Sequence, residues 1–141
     1  MRTLRPEGWA RPRGFSHGLV FSGAGDWIVL AGQTGADAQG VYEGGNLPGQ
    51  VRVALARIVR LLDEAKAGPE HIVRLTWYLT SRSNYEACGT EIAAAWRDTI
   101  GRAYPPSTLL YVSGLIDPLA LVEFDVTAFV PHDLARVDVA S

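Results

Sequence analysis

Cysteine, lysine and methionine each occur once in the 141 residues. The lone Cys88 excludes an internal disulfide. There is no C-x-x-C, and the histidines at 17, 71 and 132 are too far apart to form a ligand-spaced set, so no metal and no other cofactor is expected. Lys66, the only lysine among thirteen basic side chains, is read as a solvated residue on a helix beside Asp63 and Glu64, which leaves Schiff-base chemistry without a candidate. An excess of positive charge is missing too. Thirteen basic against fifteen acidic side chains give a net charge of −2, which argues against a nucleic-acid partner. No apolar run approaches the roughly 20 residues of a membrane span. The N-terminal MRTLRPEGWARPRG has arginines but no apolar stretch after them, so no secretory signal and no membrane are expected, and the location read from the sequence is cytoplasmic.

What is present is the composition of one globular domain, 48% hydrophobic and 20% charged. A chain of this length buries about two-thirds of the surface its unfolded form exposes, enough to fold without a staple. Residues 1–14 read as an arm rich in proline, glycine and arginine. Residues 15–131 read as the domain and 132–141 as a tail. In the arm, Trp9 is the one residue suited to pinning it to the body or to a partner subunit.

Hydrophobic periodicity predicts the elements. Residues 18–35 read as a hairpin, GLVFS and WIVLAGQ around the turn GAGD. The continuous apolar run of the second strand predicts cover on both faces. Residues 46–67 read as an amphipathic helix with Asn46 as N-cap and Pro48 in the first turn, stopped by Gly68 and Pro69. Val51, Ala54, Leu55, Ile58, Leu61, Leu62 and Ala65 form its inner face, with Gln50, Arg57 and Arg60 on the polar side. Residues 71–80 alternate as a strand, with Val73, Leu75, Trp77 and Leu79 pointing one way and Arg74, Thr76 and Tyr78 the other. Residues 83–100 read as a second helix opened by a Ser83–Glu86 capping box, with Cys88 in its buried stripe. Strands follow at 107–113 and 120–130. The order β-β-α-β-α-β-β predicts an α+β fold in which two helices cover one face of one sheet.

The other face carries Arg74, Thr76, Tyr78, Leu121, Glu123, Asp125, Thr127 and Phe129. Two readings fit this mixture: a solvated sheet face, common in antiparallel sheets, or an oligomer interface with clefts between subunits.

Five segments in order resemble the RidA/YjgF family over about Gly14 to Val130. They are G-F-S-H (Gly14–His17), A-G-Q-T-G (Ala31–Gly35), L-T-W-Y-L-T (Leu75–Thr80), Y-P-P-S-T-L (Tyr104–Leu109) and A-L-V-E-F-D-V-T-A (Ala120–Ala128). The resemblance implies a chorismate-mutase-like fold with one mixed sheet, a homotrimer, and small-molecule sites in three intersubunit clefts. It also implies cofactor-independent hydrolysis of amino-acid-derived imines and enamines to ammonia and a 2-oxo acid. In that mechanism an arginine of the P-P-A-R-[ST] stretch clamps the substrate carboxylate, a bidentate, charge-assisted contact. A glutamate of the L-V-E stretch positions water.

Carried over by position, the glutamate is Glu123, the catalytic candidate. The cleft glycine is Gly32. The arginine position holds Thr108, and Leu110 stands where a cysteine sometimes follows. Phe15, Ser16 and His17 replace the tyrosine-containing start, and Gly89 stands for a helix asparagine. Glu123 has a bland alternative as an intersubunit hydrogen-bonding or ion-pairing residue. His17 reads either as a partner base or as a structural hydrogen-bonding residue. With Thr108 in place of a guanidinium, the expected substrate is less acidic, or larger and more apolar, than a simple imino acid. The alternative to an enzyme is a trimer that binds a small metabolite without turnover. Arg74 is the candidate to replace the lost cation, with pairing to Asp125 or Glu123 as the competing use.

Overall fold

The computed structural model describes residues 1–42 and 45–132. The expected tail from residue 133 on lies outside them. The elements are β1 (Arg2–Leu4), β2 (Gly18–Val20), β3 (Gly25–Val29), β4 (Gln33–Thr34), α1 (Leu47–Glu64), β5 (Ile72–Leu79), α2 (Arg82–Ala87), α3 (Gly89–Thr99), β6 (Ser107–Tyr111) and β7 (Val122–Pro131). The main sheet has the order β3-β7-β5-β6, with β4 also paired to β7. β5 and β6 are parallel, whereas β3, β4 and β5 all run antiparallel to β7. The sheet is therefore mixed, and β4 and β5 flank β7 in the same direction. A parallel step needs a long crossover, usually helical. α1 makes the crossover from β4 to β5, and α2 with α3 makes the one from β5 to β6.

Both crossovers fall on one face, as the sequence predicts. Val51, Ala54, Leu55, Ile58 and Leu62 of α1 meet Leu75, Leu79, Val122, Phe124 and Val126 of the sheet, all of them buried. Full burial of each such aliphatic side chain contributes about 1.5–3 kcal/mol. Asn46 caps α1 as expected, its Oδ1 accepting from Gly49 N at 2.9 Å. The helix stops at Glu64 rather than at residue 67, because Lys66 takes a left-handed φ of 58° and Ala67 N turns back to Leu62 O at 2.8 Å. Lys66 is exposed, just beyond the helix rather than on it.

Several sequence expectations are corrected. The first apolar run does not pair with the second. β2 pairs with β1 in a separate two-stranded ribbon, so residues 2–4 of the arm have a strand partner. β3 instead pairs with β7. The second strand is not covered on both faces in the single chain, since Trp27 is 60% and Val29 76% exposed. The second helix is broken at Cys88, which sits at a non-helical φ/ψ between α2 and α3 and is only half-buried. Ser81, not Ser83, caps it, its Oγ accepting from Asn84 N at 3.1 Å. A register shift between Ile72 and Arg74 puts Ile72, rather than Val73, into the core.

The polar side of α1 is corrected as well. Gln50 is buried, donating from Nε2 to Leu119 O at 2.9 Å and accepting from Leu121 N at 2.8 Å through Oε1. Arg57 is half-buried and holds Gln33 Oε1 at 3.0 Å together with the carbonyls of Ala36 and Asp37.

Candidate functional site

A concavity of about 520 Å³ opens between the sheet's helix-covered face and α3. That volume is within the roughly 300–1,000 Å³ typical of small-molecule sites. Its floor is Trp77 of β5 with Ser107 and Leu109 of β6. One wall is Tyr85 of α2 with Gly89, Ile92, Trp96 and Arg97 of α3. The other is Arg13, Gly14 and Phe15 with Tyr104. Strand alternation explains the floor: Ser107 and Leu109 are side by side on one face, and Thr108 and Leu110 take the other.

Aromatic packing sets the shape. Trp77 stacks on Trp96 at 5.8 Å between ring centres and 15° between planes, and meets Tyr85 edge-on at 6.3 Å. Phe124 closes the cluster from beneath, 4.6 Å from Trp77. Gly89 leaves room, because a Cβ there would meet nothing within 4 Å. The Tyr85 hydroxyl is held above its usual pKa of 10.0, first by burial and then by the neighbouring Tyr111. It is therefore protonated at neutral pH and can donate. Tyr111 lies on the same side, with the Arg82 guanidinium 4.7 Å from its ring centre.

The segment Phe15–His17 is fastened to the loop before β6. Ser16 Oγ donates to Tyr104 O at 2.6 Å, and Ser16 N donates to Pro105 O at 3.4 Å. Ser16 thus positions Phe15. His17 is exposed and edge-on to both Trp9 at 5.1 Å and Phe15 at 5.5 Å, which makes it part of an aromatic cluster that also holds the arm.

Glu123 and Gly32 meet on the opposite face of the sheet. A Cβ on Gly32 would stand 2.5 Å from Glu123 Oε1. Across the strands Thr34 and Tyr78 flank Glu123, and Leu110 follows Tyr78. Thr108 lies in the next row, beyond Thr76. Two strand spacings separate β7 from β6, about 10 Å between backbones. Among the described residues, Glu123 has no hydrogen-bond or ion-pair partner, and Arg74 has no ion pair with Glu123 or Asp125.

The sequence-predicted residues therefore divide. Phe15 and Gly89 line the pocket, with Ser16 and His17 behind Phe15. Gly32, Thr108, Leu110 and Glu123 share the open face. Thr108 and Leu110 face away from the pocket of their own chain, because their neighbours Ser107 and Leu109 carry the inward parity. Two arginines that the sequence reading did not single out, Arg13 and Arg97, border the pocket. Neither arginine falls in a recognisable motif. Trp77 and Trp96, spaced as core residues, gave no sign that one edge of each borders open space.

The open face is the more apolar toward β3. Trp27 packs on Phe129 at 4.9 Å and Phe21 on Phe129 at 5.4 Å, with Val29 bare beside them. A Cβ on Gly25 would collide with the Phe129 ring. Among the described residues no cluster of metal-ligating side chains is found, and no helix is long and apolar enough to cross a membrane.

The family profile described as endoribonuclease L-PSP matches residues 10–130. An uncharacterised protein of Streptomyces coelicolor is 29% identical over 121 residues, 86% of this chain and 85% of that one. A Rid-family protein of unknown function from Yersinia pestis is 30% identical with a TM-score of 0.80, over 92% of this chain and 98% of that one. A YjgF/YER057c/UK114-family protein of Mycobacterium tuberculosis is also 30% identical, with a TM-score of 0.61, over 83% and 87% of the two chains.

Proposed function

The chain belongs to the endoribonuclease L-PSP family, the RidA/YjgF group, and from that premise we propose that it hydrolyses an imine or enamine without a cofactor, in a cleft completed by a second copy of the chain. The observation that carries this reading is the division of the site. The aromatic pocket and Glu123 lie on opposite faces of one sheet, so a site containing both takes them from two subunits. A homotrimer supplies three such clefts.

In the proposed reaction the Glu123 carboxylate of one subunit accepts a proton from water, and the hydroxide adds to the C=N carbon of a substrate in its neighbour's pocket. The resulting carbinolamine takes a proton onto nitrogen and expels ammonia, leaving the carbonyl product. The net change is one water consumed and one ammonia released. Gly32 leaves the space in which the carboxylate lies. The aromatic walls exclude bulk water and orient the substrate.

The test is ammonia release from freshly generated 2-iminopropanoate and from a neutral imine. We expect wild-type turnover and a loss of about 10²-fold or more in Glu123→Ala, the scale of a general acid–base contribution. Equal rates in the two proteins would overturn the role of Glu123.

A second reading is a metabolite-binding trimer without turnover. It is favoured by Thr108 and Ser107, neither of which is charged, where an arginine follows the prolines in the deaminase type. Tight binding of an imine or 2-oxo acid with no ammonia released would establish it. A nucleic-acid partner is disfavoured by the net charge of −2 and the single lysine. A cytoplasmic location accompanies the proposal.

A further inference from the structure

The pocket between α3 and β6 is bordered by two guanidiniums and, among the described residues, by no carboxylate. Arg97 comes from the last turn of α3, and Arg13 from the end of the arm. The other arginines on the helices are engaged: Arg52, Arg60 and Arg82 each lie within 4.0 Å of a carboxylate, and Arg57 holds backbone carbonyls. Neither Arg13 nor Arg97 has an ion pair among the described residues. In a chain of net charge −2, this is a local concentration of unmatched positive charge.

A second observation points the same way. Trp96 is 8% exposed, forms part of the pocket wall, and its indole Nε1–H has no acceptor among the described residues. A buried donor without an acceptor costs free energy that an incoming acceptor recovers. The side chains free to donate here are Arg13, Arg97, Trp96, Tyr85 and Tyr104, whereas the Ser107 hydroxyl is spent on Pro105 O at 3.0 Å, and the apolar surface is mostly aromatic. A planar guanidinium pairs with a carboxylate through two parallel hydrogen bonds. Aromatic faces prefer a flat apolar body in stacked or edge-on contact.

We propose that this pocket selects a carboxylate with an aromatic body, and that Arg97 and Arg13, from α3 and the arm, are the residues that hold the carboxylate. The charge at the site then comes from elements outside the strand that follows the two prolines. The arm becomes a specificity-determining part of the domain, its course fixed by the β1–β2 pairing and by Trp9 against His17. This inference rests on the pocket chosen for the proposed reaction.

The test is calorimetric titration of the full chain with phenylacetate, phenylacetamide and acetate, with quenching of Trp77 and Trp96 fluorescence as a second readout. Phenylacetate is expected to bind about tenfold or more tighter than the isosteric amide, the scale of one lost charged hydrogen bond, and tighter than acetate. Arg97→Ala and Arg13→Ala each reduce the preference for the carboxylate over the amide. The double variant abolishes it, and Arg97→Lys retains part of it. Equal affinity for acid and amide, no binding of either, or an undiminished preference in the double variant would overturn the proposal. Ammonia release takes no part in the readout. Failure of the hydrolysis would leave this inference standing, and an active hydrolase blind to the carboxylate would sink this inference alone.

Discussion

Gly32 lies against the Glu123 carboxylate so closely that a Cβ at residue 32 would stand 2.5 Å from Oε1 and 2.9 Å from Cδ. The atoms it would meet are the far end of a flexible side chain. Gly32→Ala is therefore expected to fold, with Glu123 turned to another staggered rotamer. Its ammonia-release rate should fall toward that of Glu123→Ala while its urea midpoint changes little. A variant with wild-type turnover would mean that the orientation of Glu123 does not matter.

Gln50 joins α1 to the loop before β7 by two hydrogen bonds of opposite sense, to Leu119 O at 2.9 Å and from Leu121 N at 2.8 Å. Gln50→Leu keeps the volume and strands both backbone groups in a buried place. Each unsatisfied group costs about 1–3 kcal/mol, so urea unfolding should show a loss of a few kcal/mol. Hydrogen exchange at Leu121 should accelerate more than at the core residue Val126. Unchanged stability would mean that water replaces the amide at no cost.

The alkaline limb of stability belongs in part to Tyr85. Its phenol pKa in the folded chain is raised above 10.0, by burial first and then by Tyr111. Above pH 10 the unfolded chain releases this proton while the folded chain keeps it. The folded state then binds more protons, and stability falls as pH rises through the raised value. Below pH 10 the contribution is fully present. Tyr85→Phe should flatten the decline of urea midpoint above pH 10, and an unaltered slope would assign the decline to other groups.

The parts of the fold that follow from period and from family pattern were readable in the sequence. The alternation from Ala120 to Val130 gives the inner and outer faces of β7 correctly, because one strand with a strict period of two has only two possible phases. The inner face of α1 was readable for the same reason. What escaped depends on contacts far apart in the chain. Gln50 reads as a surface residue until Leu119 and Leu121 arrive beside it. The pairing of β1 with β2 gives no local signal, since the turn GAGD fits a hairpin equally well. The parity of β6 hangs on where the strand begins after Pro106, and a shift of one residue exchanges Thr108 for Ser107. Arg13 and Arg97 are ordinary arginines in sequence, and only the approach of the arm to α3 gives them a common neighbour.

The open sheet face supplies the last prediction. Val29 is 76% and Trp27 60% exposed, beside the largely buried Phe129. Single exposed apolar residues are ordinary, but a contiguous group on a flat sheet marks an interaction surface. In the proposed trimer these residues lie between subunits, and the wild-type chain is expected to elute with the mass of three chains. Val29→Glu places a charge where neighbours would bury it, and a buried unpaired charge costs several kcal/mol. The variant should dissociate to monomers on light-scattering chromatography while keeping its circular dichroism, because Val29 lies outside the protomer core. Since the proposed cleft takes Glu123 and the aromatic pocket from different subunits, the same variant should lose ammonia release as monomer appears. A wild-type chain that runs as a monomer, or a monomeric variant with full activity, would contradict the two-subunit site.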